Sequence, residues 1–298
     1  MPSSAADLQH PALVRFFRSP KGSLFIILSL LALLATPVEG SRAVVGTALA
    51  VLAAVGTETL LWWGRPRAAS PSGAVLTGFI VGLVLSPAEP LYVPMLAAVL
   101  GIVSKRFVRV SGAHLFNPAA AGLLASAVLF GSQQSWWGGL SDLPAAALLL
   151  LVLMGALLLP QVNKFPSVLA FLGVYFSLFS AAAAGGNPIA VAEIFRQPFL
   201  GTVLFFALFM LTDPPTTPAR GRQQAWFGAA VAVASFACYM LTSGAIYYLL
   251  AALLAGNLWE GMRRWSGIRS ARKRQGSAVG RAPSSGREDF GYLGVASG

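Results

Sequence analysis

Between residues 223 and 259 the chain contains no aspartate, glutamate, lysine or arginine. Such a run is too long for one membrane-spanning helix, which needs about 20 residues, and too apolar for a helix with a water-exposed face. Thr242, Ser243 and Gly244 divide it into two spans. Of all 298 residues, 56% are apolar and 10% charged, against about 25% charged in a soluble domain. The sequence therefore predicts an integral membrane protein.

Further charge-free apolar runs predict eight more spans. Because lipid cannot satisfy backbone polar groups, the spans should be helices, and the period-two alternation of a membrane β-barrel is absent from the sequence. We therefore expect an all-α integral membrane protein with ten transmembrane helices. The predicted spans are 23–38, 43–63, 73–86, 91–104, 117–131, 143–160, 166–184, 197–212, 223–241 and 245–260.

The net charge of +11 is distributed as in a membrane protein. If the N-terminus is cytoplasmic, inner loops and both tails hold 19 of the 21 lysines and arginines, and the outer loops hold only Arg42 and Arg196. Positive charge on the cytoplasmic side is the usual topology rule. The pattern predicts a multi-pass protein of the bacterial inner membrane with both termini cytoplasmic, and it disfavours a nucleic-acid partner.

The sequence lacks the residues that several kinds of metal, cofactor and catalytic site require. The single cysteine, Cys238, excludes an intrachain disulfide, a cysteine-ligated iron–sulfur cluster and a Cys-based zinc site. The two histidines, His10 and His114, are too few for a polyhistidine metal site. We find no dinucleotide-binding glycine motif, no P-loop and no credible nucleophile–base pair. A self-contained enzyme of the soluble type is therefore disfavoured.

Two short apolar segments occupy matching places in the chain. The third span ends in LTGFIVGLVLSPAEP (76–90) and the eighth in GTVLFFALFMLTDPPTTP (201–218), so each runs into proline. Each is the third span of a five-span half, and an odd number of spans makes the halves inverted repeats. Broken helices at matching places point to a site at the repeat interface. The alternative is that both segments are ordinary helix ends.

The predicted spans and their two halves divide the chain into four regions. Residues 1–22 form a cytoplasmic N-terminal segment, 23–131 the first five-helix repeat and 132–262 the second. Residues 263–298 are rich in Gly, Ser, Arg and Lys and predict a disordered basic cytoplasmic tail. Its basic residues serve either as a positive-inside anchor or as a contact for anionic lipid or a partner subunit. The cluster comprises Arg269, Arg272, Lys273 and Arg274.

Polar residues near the broken helices are the candidates for a site. Asn117 and Pro118 form a helix start whose positive dipole end suits an anion, although the same pattern is common as a simple cap. Asp213 could pair with Arg220 or Arg222, coordinate a cation or cap a helix. Its polar neighbours, together with the serine at the end of the third span, complete the candidate set. These are Ser86, Thr212, Thr216 and Thr217.

Two polar residues lie within predicted spans. Glu58 is an intramembrane carboxylate and hence a functional candidate, unless it pairs with Arg65 at the interface. Asn257 lies in the last apolar span, where it could contact Asn117. With Asp213, these residues form a candidate ion pathway. The ion itself, Na⁺ or H⁺, is left open.

The motifs resemble those of one family, the NqrB/RnfD family. FNPA at 116–119 and LTDPPTTPARGRQQAWFGA at 211–229 are similar to segments of RnfD, a membrane component of Rnf electron-transport complexes, and of its relative NqrB in the sodium-pumping NADH:quinone reductase. Glu58 and Asn257 match an acid and an asparagine of that family, and the likeness spans about 40–262. It implies a membrane subunit of a redox-driven ion-translocating complex, with membrane and peripheral partner subunits that oxidise NADH or ferredoxin.

The resemblance also implies which cofactor the protein could bind. The family attaches flavin mononucleotide (FMN) to a threonine in the external segment between spans five and six, but here that segment, GSQQSWWGGLSDL (131–143), has no threonine. Covalent FMN should therefore be absent, whereas non-covalent FMN or riboflavin near the broken helices stays compatible with the sequence. The alternative function is a stand-alone inverted-repeat transporter or channel for a small solute.

Overall fold

The computed structural model describes residues 16–63, 71–110, 112–186, 191–197, 199–242 and 247–279, with side chains described as far as residue 269. Most of this chain is helical. The helices are α1 (Pro20–Leu61), α2 (Pro71–Val84), α3 (Tyr92–Phe107), α4 (Pro118–Phe130), α5 (Ala146–Val162), α6 (Phe165–Gly185), α7 (Phe199–Phe205), α8 (Gly221–Leu241) and α9 (Tyr248–Val279). Short 3-10 turns at Trp137–Gly139 and Glu193–Phe195 and a π-helical turn at Phe206–Met210 complete them.

Helix α1 contains the first two predicted spans. The helical path breaks at Gly40, where φ is 79° and ψ is 176°. Only glycine adopts such a conformation without strain. The two spans therefore meet at Gly40, close to the expected boundary.

The helices establish an all-α membrane protein in outline. Helices α1, α6 and α8 are long and apolar enough to cross a bilayer, and α2, α4, α5 and Phe199–Met210 are shorter apolar helices. Large apolar side chains face outward, such as Leu52, which is 67% exposed, and Val128, which is 75% exposed. Such a surface requires lipid or partner helices around it. The count of ten crossings and the inverted repeat stay predictions.

The structure adds one feature that the all-α expectation lacked. Arg109–Val110 and Ala113–His114 form a short antiparallel hairpin, with Arg109 opposite His114. Gly112 in its turn has φ 82°, in the region that favours glycine. The hairpin connects α3 to α4 and places His114 beside the second half of the chain.

The basic tail departs from its expectation of disorder. Helix α9 continues to Val279, well past the predicted boundary at residue 263. Residues 263–279 contain no proline, and extending an existing helix avoids the cost of nucleation. Glu260 also pairs with both Arg263 and Arg264 one turn further along. Residues 280–298 lie outside the described residues.

The segment 131–143, expected as an external loop, is packed into the protein. Trp136 and Trp137 are only 2% and 1% exposed. The Trp137 indole N–H donates to the Gly82 carbonyl at 2.7 Å, and the backbone N–H of Trp136 donates to Val84. A Cβ on Gly139 would lie 2.7 Å from the carbonyl oxygen of Gly201. Because its large side chains are aromatic and its glycines permit close approach, the segment covers the open carbonyl end of α2 and packs against α7.

Helices of the first half pack closely around α4. A Cβ on Gly101 would lie 2.5 Å from the Pro118 carbonyl oxygen, and one on Gly122 would lie 2.1 Å from that of Ala97. Only glycine permits backbones to approach so closely. These contacts fix the start of α4, and with it Asn117, against α3.

Candidate functional site

A cavity of about 680 Å³ lies where the ends of several helices meet. Its volume falls within the range of about 300–1,000 Å³ that small-molecule sites occupy. One part of the wall is apolar, formed by Leu24, Leu76, Ile80, Leu158, Val162 and Phe209. The other part carries the charged and polar groups Lys21, Glu58, Lys105, Arg109, His114, Asn117, Thr212 and Asp213. The site is therefore amphipathic, and its cationic residues outnumber the two carboxylates.

Glu58 forms an ion pair on one side of the cavity. The Lys105 ammonium donates to Oε1 of Glu58 at 2.9 Å, and the Glu58 side chain is only 8% exposed. Lys105 lies in the last turn of α3, near Gly73 of α2, where a Cβ would be 3.4 Å from Nζ. The expected alternative partner, Arg65, lies outside the described residues. The pair keeps a charged carboxylate stable in a largely apolar wall.

Asp213 also lines the cavity. Its Oδ2 lies 3.4 Å from Nε2 of His114 and accepts a hydrogen bond from the Thr216 hydroxyl at 2.9 Å. The Thr217 hydroxyl donates to the Asp213 carbonyl at 2.8 Å. Among the residues that the structure describes, Asp213 forms no ion pair with Arg220 or Arg222, the partners considered from sequence. Its neighbour is instead the histidine at the end of the hairpin.

Asn117 connects the two halves of the chain behind the cavity wall. Its backbone N–H donates to Oδ1 of Asn257 at 2.9 Å, and its side-chain amide donates to the Met210 carbonyl at 3.1 Å. Its own Oδ1 caps α4 by accepting from Ala120. Asn257 in turn donates to the carbonyl of Thr216 at 3.3 Å. The helix start predicted from sequence is thus a cap and an inter-half contact at once.

Helix α7 continues into the π-helical turn Phe206–Met210 where it reaches the cavity. The Leu211 N–H donates to the Phe206 carbonyl, a π-helical bond of 2.9 Å. This wider turn lets the Met210 carbonyl accept from Asn117, and Thr212 follows with its hydroxyl donating to Leu208. π-turns occur frequently at functional sites. The eighth span is therefore irregular where the sequence predicted a break.

Side chains from other helices satisfy the carbonyls of the proline-rich segment that follows. Lys164 donates to Pro218 and Arg264 to Pro215, both at 2.7 Å, and Gln224 donates to Ala219 at 3.0 Å. Burial lowers the pKa of Lys164 to about 8, although the neighbouring Asp213 opposes this effect. Free backbone groups at membrane depth need such partners. The segment 213–218 is therefore held rigidly beside the cavity.

The structure brings most predicted site residues together and leaves one apart. Asn117, Pro118, Glu58, Thr212 and Asp213 line the cavity. Thr216, Thr217 and Asn257 lie behind it, bonded to Asp213 or Asn117.

Ser86 lies elsewhere, at the far end of α2. That helix of 14 residues separates Ser86 from Gly73 at the cavity by roughly 20 Å. Ser86 instead bonds to Gln133 and borders a small crevice with Arg42 and Glu89. Ser86 therefore does not line the cavity with Thr212, contrary to the expected grouping.

Sequence reasoning missed four groups of the site. Lys21, Lys105, Arg109 and His114 all line the cavity, where Lys105 pairs with Glu58 and His114 contacts Asp213. The three basic residues were considered only for topology, and His114 only as one of two histidines. His114 was available as part of the HLFNP sequence that precedes α4. Its proximity to Asp213, 99 positions away, depends on tertiary structure.

Comparison with known proteins gives a match, and it covers most of the first half of the chain. A model of the NQR2, RnfD, RnfE family matches residues 20–150. This match supports the resemblance to the NqrB/RnfD family that the motifs indicate. This segment includes Glu58, Lys105 and the FNPA motif at 116–119. No curated protein matches the chain.

The family match covers most of the residues that line the cavity. The NQR2, RnfD, RnfE segment contributes the Glu58–Lys105 pair, His114 and the start of α4. Asp213, Asn257 and the proline-rich segment lie after its end at residue 150. The likeness of residues 211–229 to the same family thus stays a prediction from the motif itself.

Proposed function

We propose that the chain is a membrane subunit of an Rnf/Nqr-type redox-driven ion-translocating electron-transport complex. The observation that carries the proposal is that residues 20–150, which match the NQR2, RnfD, RnfE family, supply most of the lining of a large cavity with both apolar and charged side chains. As a subunit, the chain would need membrane and peripheral partners to oxidise NADH or ferredoxin. Electron transfer would therefore depend on the assembled complex.

The cavity fits a non-covalent flavin, FMN or riboflavin. Its apolar wall suits the flavin ring, whereas Lys21, Arg109 and the start of α4 suit a phosphate group. A bound flavin would supply one- and two-electron transfer. The chain's own residues would bind the phosphate, keep water from the apolar side and orient the ring against the π-turn at Phe209.

The two carboxylates suit the ion-translocation part of the proposal. Glu58 and Asp213 line the same cavity, each next to a cationic or titratable group. Intramembrane carboxylates commonly mark proton or cation paths. Asn257 supports this path through Asn117 and Thr216, without lining the cavity itself.

A visible absorption spectrum of the purified chain tests the flavin component. We expect a flavin spectrum that moves to the supernatant on acid precipitation. Arg109→Gln should weaken FMN retention about tenfold, by removing charge-assisted hydrogen bonds. Arg106→Gln is its matched control, because Arg106 stacks on Trp62 and does not line the cavity. A flavin that stays in the pellet, or equal retention in both variants, contradicts this assignment.

A stand-alone transporter for a small solute is the second candidate. It is favoured by one observation, the irregular backbone of Phe206–Met210 beside a cavity, which is typical of transporters. Solute flux into liposomes without an electron donor, in protein free of flavin, would support this candidate over the redox subunit. Co-purification with flavin- or iron–sulfur-bearing subunits would support the first.

A further inference from the structure

A second large recess lies on the outer surface between α8 and α9. It has a volume of about 690 Å³ and is bounded by Gln223, Trp226, Ala229, Ala230, Val233, Ala234, Trp259, Glu260 and Arg263. We call it the α8–α9 groove. It shares no residue with the cavity at Asp213. Its floor consists mainly of small apolar side chains, and its upper end carries two tryptophans and an arginine.

The groove has a structural origin in the crossing of the two helices. At Gly256, α9 lies so close to α8 that a Cβ would be 2.6 Å from Cγ2 of Val231. Beyond this point the groove is bordered by Trp259 of α9 and by alanines of α8. Small residues on α8 therefore leave a recess where larger side chains would have filled the space.

Aromatic residues place the upper end of the groove at the membrane surface. Trp226 is 64% exposed and Trp259 is 42% exposed, and Trp265 follows on α9. Exposed tryptophans concentrate at the headgroup level of a bilayer. The arginines after Glu260 begin the part of α9 that the charge pattern predicts to be cytoplasmic. The groove thus begins at the headgroups of one leaflet.

The length of the groove distinguishes between its occupants. From Gln223 to Ala234 it follows α8 for roughly 17 Å at 1.5 Å per residue. This is about half of a hydrocarbon core of about 30 Å. One leaflet's acyl chain matches this depth, whereas a partner's transmembrane helix would need a contact along the whole span.

Arg263 provides the group that would recognise a headgroup. Its Nε and Nη2 donate to the two carboxylate oxygens of Glu260, at 2.7 and 2.8 Å, and this fixes the guanidinium in place. Three of the five guanidinium N–H donors are not used by Glu260. Glu260 is also paired with Arg264, so the local charge is positive. A fixed, partly free guanidinium is well suited to a phosphate oxygen.

We propose that the α8–α9 groove binds one anionic phospholipid of the cytoplasmic leaflet. Its phosphate contacts Arg263 and Gln223, and one acyl chain lies along Ala229, Ala230 and Val233 between the two tryptophans. This site does not depend on the redox function and would exist equally in a transporter.

Native mass spectrometry of the full chain in detergent tests the proposal with phosphatidylglycerol and phosphatidylcholine as probes. We expect one tightly bound phosphatidylglycerol, retained about tenfold better than phosphatidylcholine. Arg263→Gln should remove this preference and leave Glu260 paired with Arg264. Arg269→Gln is the matched control, because Arg269 stacks on Trp265 and does not border the groove. Equal loss in both variants would show general charge attraction and overturn the site.

A groove-filling variant tests the acyl-chain component. Ala230→Leu should weaken binding of either lipid about tenfold, whereas Ala237→Leu, about two turns further along α8 and also exposed, should have no effect. If Ala230→Leu leaves lipid binding unchanged but prevents assembly with partner subunits, the groove holds a protein helix and the proposal is wrong.

Fluorescence quenching in the unaltered chain tests the proposal even if the groove variants fail to fold. Phosphatidylglycerol with brominated acyl chains should quench tryptophan fluorescence at one equivalent of lipid, and Trp226→Phe should lower that quenching. Trp63→Phe is the control, because Trp63 is 84% exposed and lies far from α8 in the sequence. Quenching that rises only with bulk lipid would overturn the proposal.

Discussion

The backbone N–H of Asn117 donates to the side-chain oxygen of Asn257 across 2.9 Å, joining residues 140 positions apart. Asn257 is fully buried and also donates to the carbonyl of Thr216. One amide therefore connects the start of α4 with the proline-rich segment beside the cavity. The connection holds the start of α4 beside the segment that contains Asp213, and Asn117 and Asp213 both line the cavity.

Asn257→Leu should destabilise the protein by about 1–3 kcal/mol. The substitution leaves the Asn117 N–H buried without its partner, and one desolvated polar group of this kind costs about 1–3 kcal/mol. The Thr216 carbonyl loses a longer bond of 3.3 Å and should add little. Thermal unfolding in detergent, followed by circular dichroism, measures the loss. Gln161→Leu is the control, because its exposed amide bonds to Ser23 and should cost less than about 0.5 kcal/mol. Equal stability of both variants would contradict the proposed connection.

Lys105→Met should be more damaging than Glu58→Gln. The first leaves a carboxylate that is 8% exposed without its cation, whereas the second leaves a lysine that is 22% exposed. Removing one partner of a buried pair costs about 3–5 kcal/mol, and the partial exposure of Lys105 places the expected loss at or below about 3 kcal/mol. A double-mutant cycle measured by denaturant unfolding gives the coupling. Additive single losses would show that the pair is not coupled.

Gly122→Ala and Gly173→Ala should have opposite effects on stability. A Cβ on Gly122 would lie 2.1 Å from the Ala97 carbonyl oxygen, so α3 and α4 must separate, at a cost of about 1–3 kcal/mol. A Cβ on Gly173 meets nothing within 4 Å, so alanine there should stabilise α6 by up to about 1 kcal/mol. Thermal unfolding of the two variants side by side measures the loss of stability in one and the gain in the other. A neutral Gly122→Ala variant would contradict the close packing of α3 on α4.

Glu39 should make stability depend on pH. Burial and the neighbouring carboxyl group of Asp142 raise the pKa of Glu39 from 4.5 to about 7. Because the folded state binds the proton more tightly than the unfolded state, stability should fall as pH rises from about 4.5 to about 7. Glu39→Gln should remove that part of the decline in melting temperature. Glu193→Gln, whose exposed carboxylate pairs with Arg196, is the control and should keep it.

The segment 131–143 shows what sequence reasoning missed. It was expected as an external loop between spans five and six, and its packing against other helices was not predicted. In the structure its two tryptophans are buried and its backbone satisfies carbonyls at the end of α2. Periodicity and charge describe helices, whereas a buried irregular segment is defined by partners distant in the sequence. Ser86 was misplaced for a related reason, since similarity between two sequence motifs does not show whether their residues meet in the fold.

The sequence alone determined the membrane class, the positions of the helices and the residues from which a site could be built. Apolar runs fix helices because lipid leaves backbone groups no other partner, and Asn117–Pro118 fixes a helix start through local bonding. Only the tertiary structure decided which candidates meet. Glu58 with Lys105, and Asp213 with His114, are pairs whose members lie 47 and 99 positions apart. Such contacts depend on how helices cross, and glycines such as Gly101 and Gly122 set those crossings through close backbone contact rather than through any local pattern.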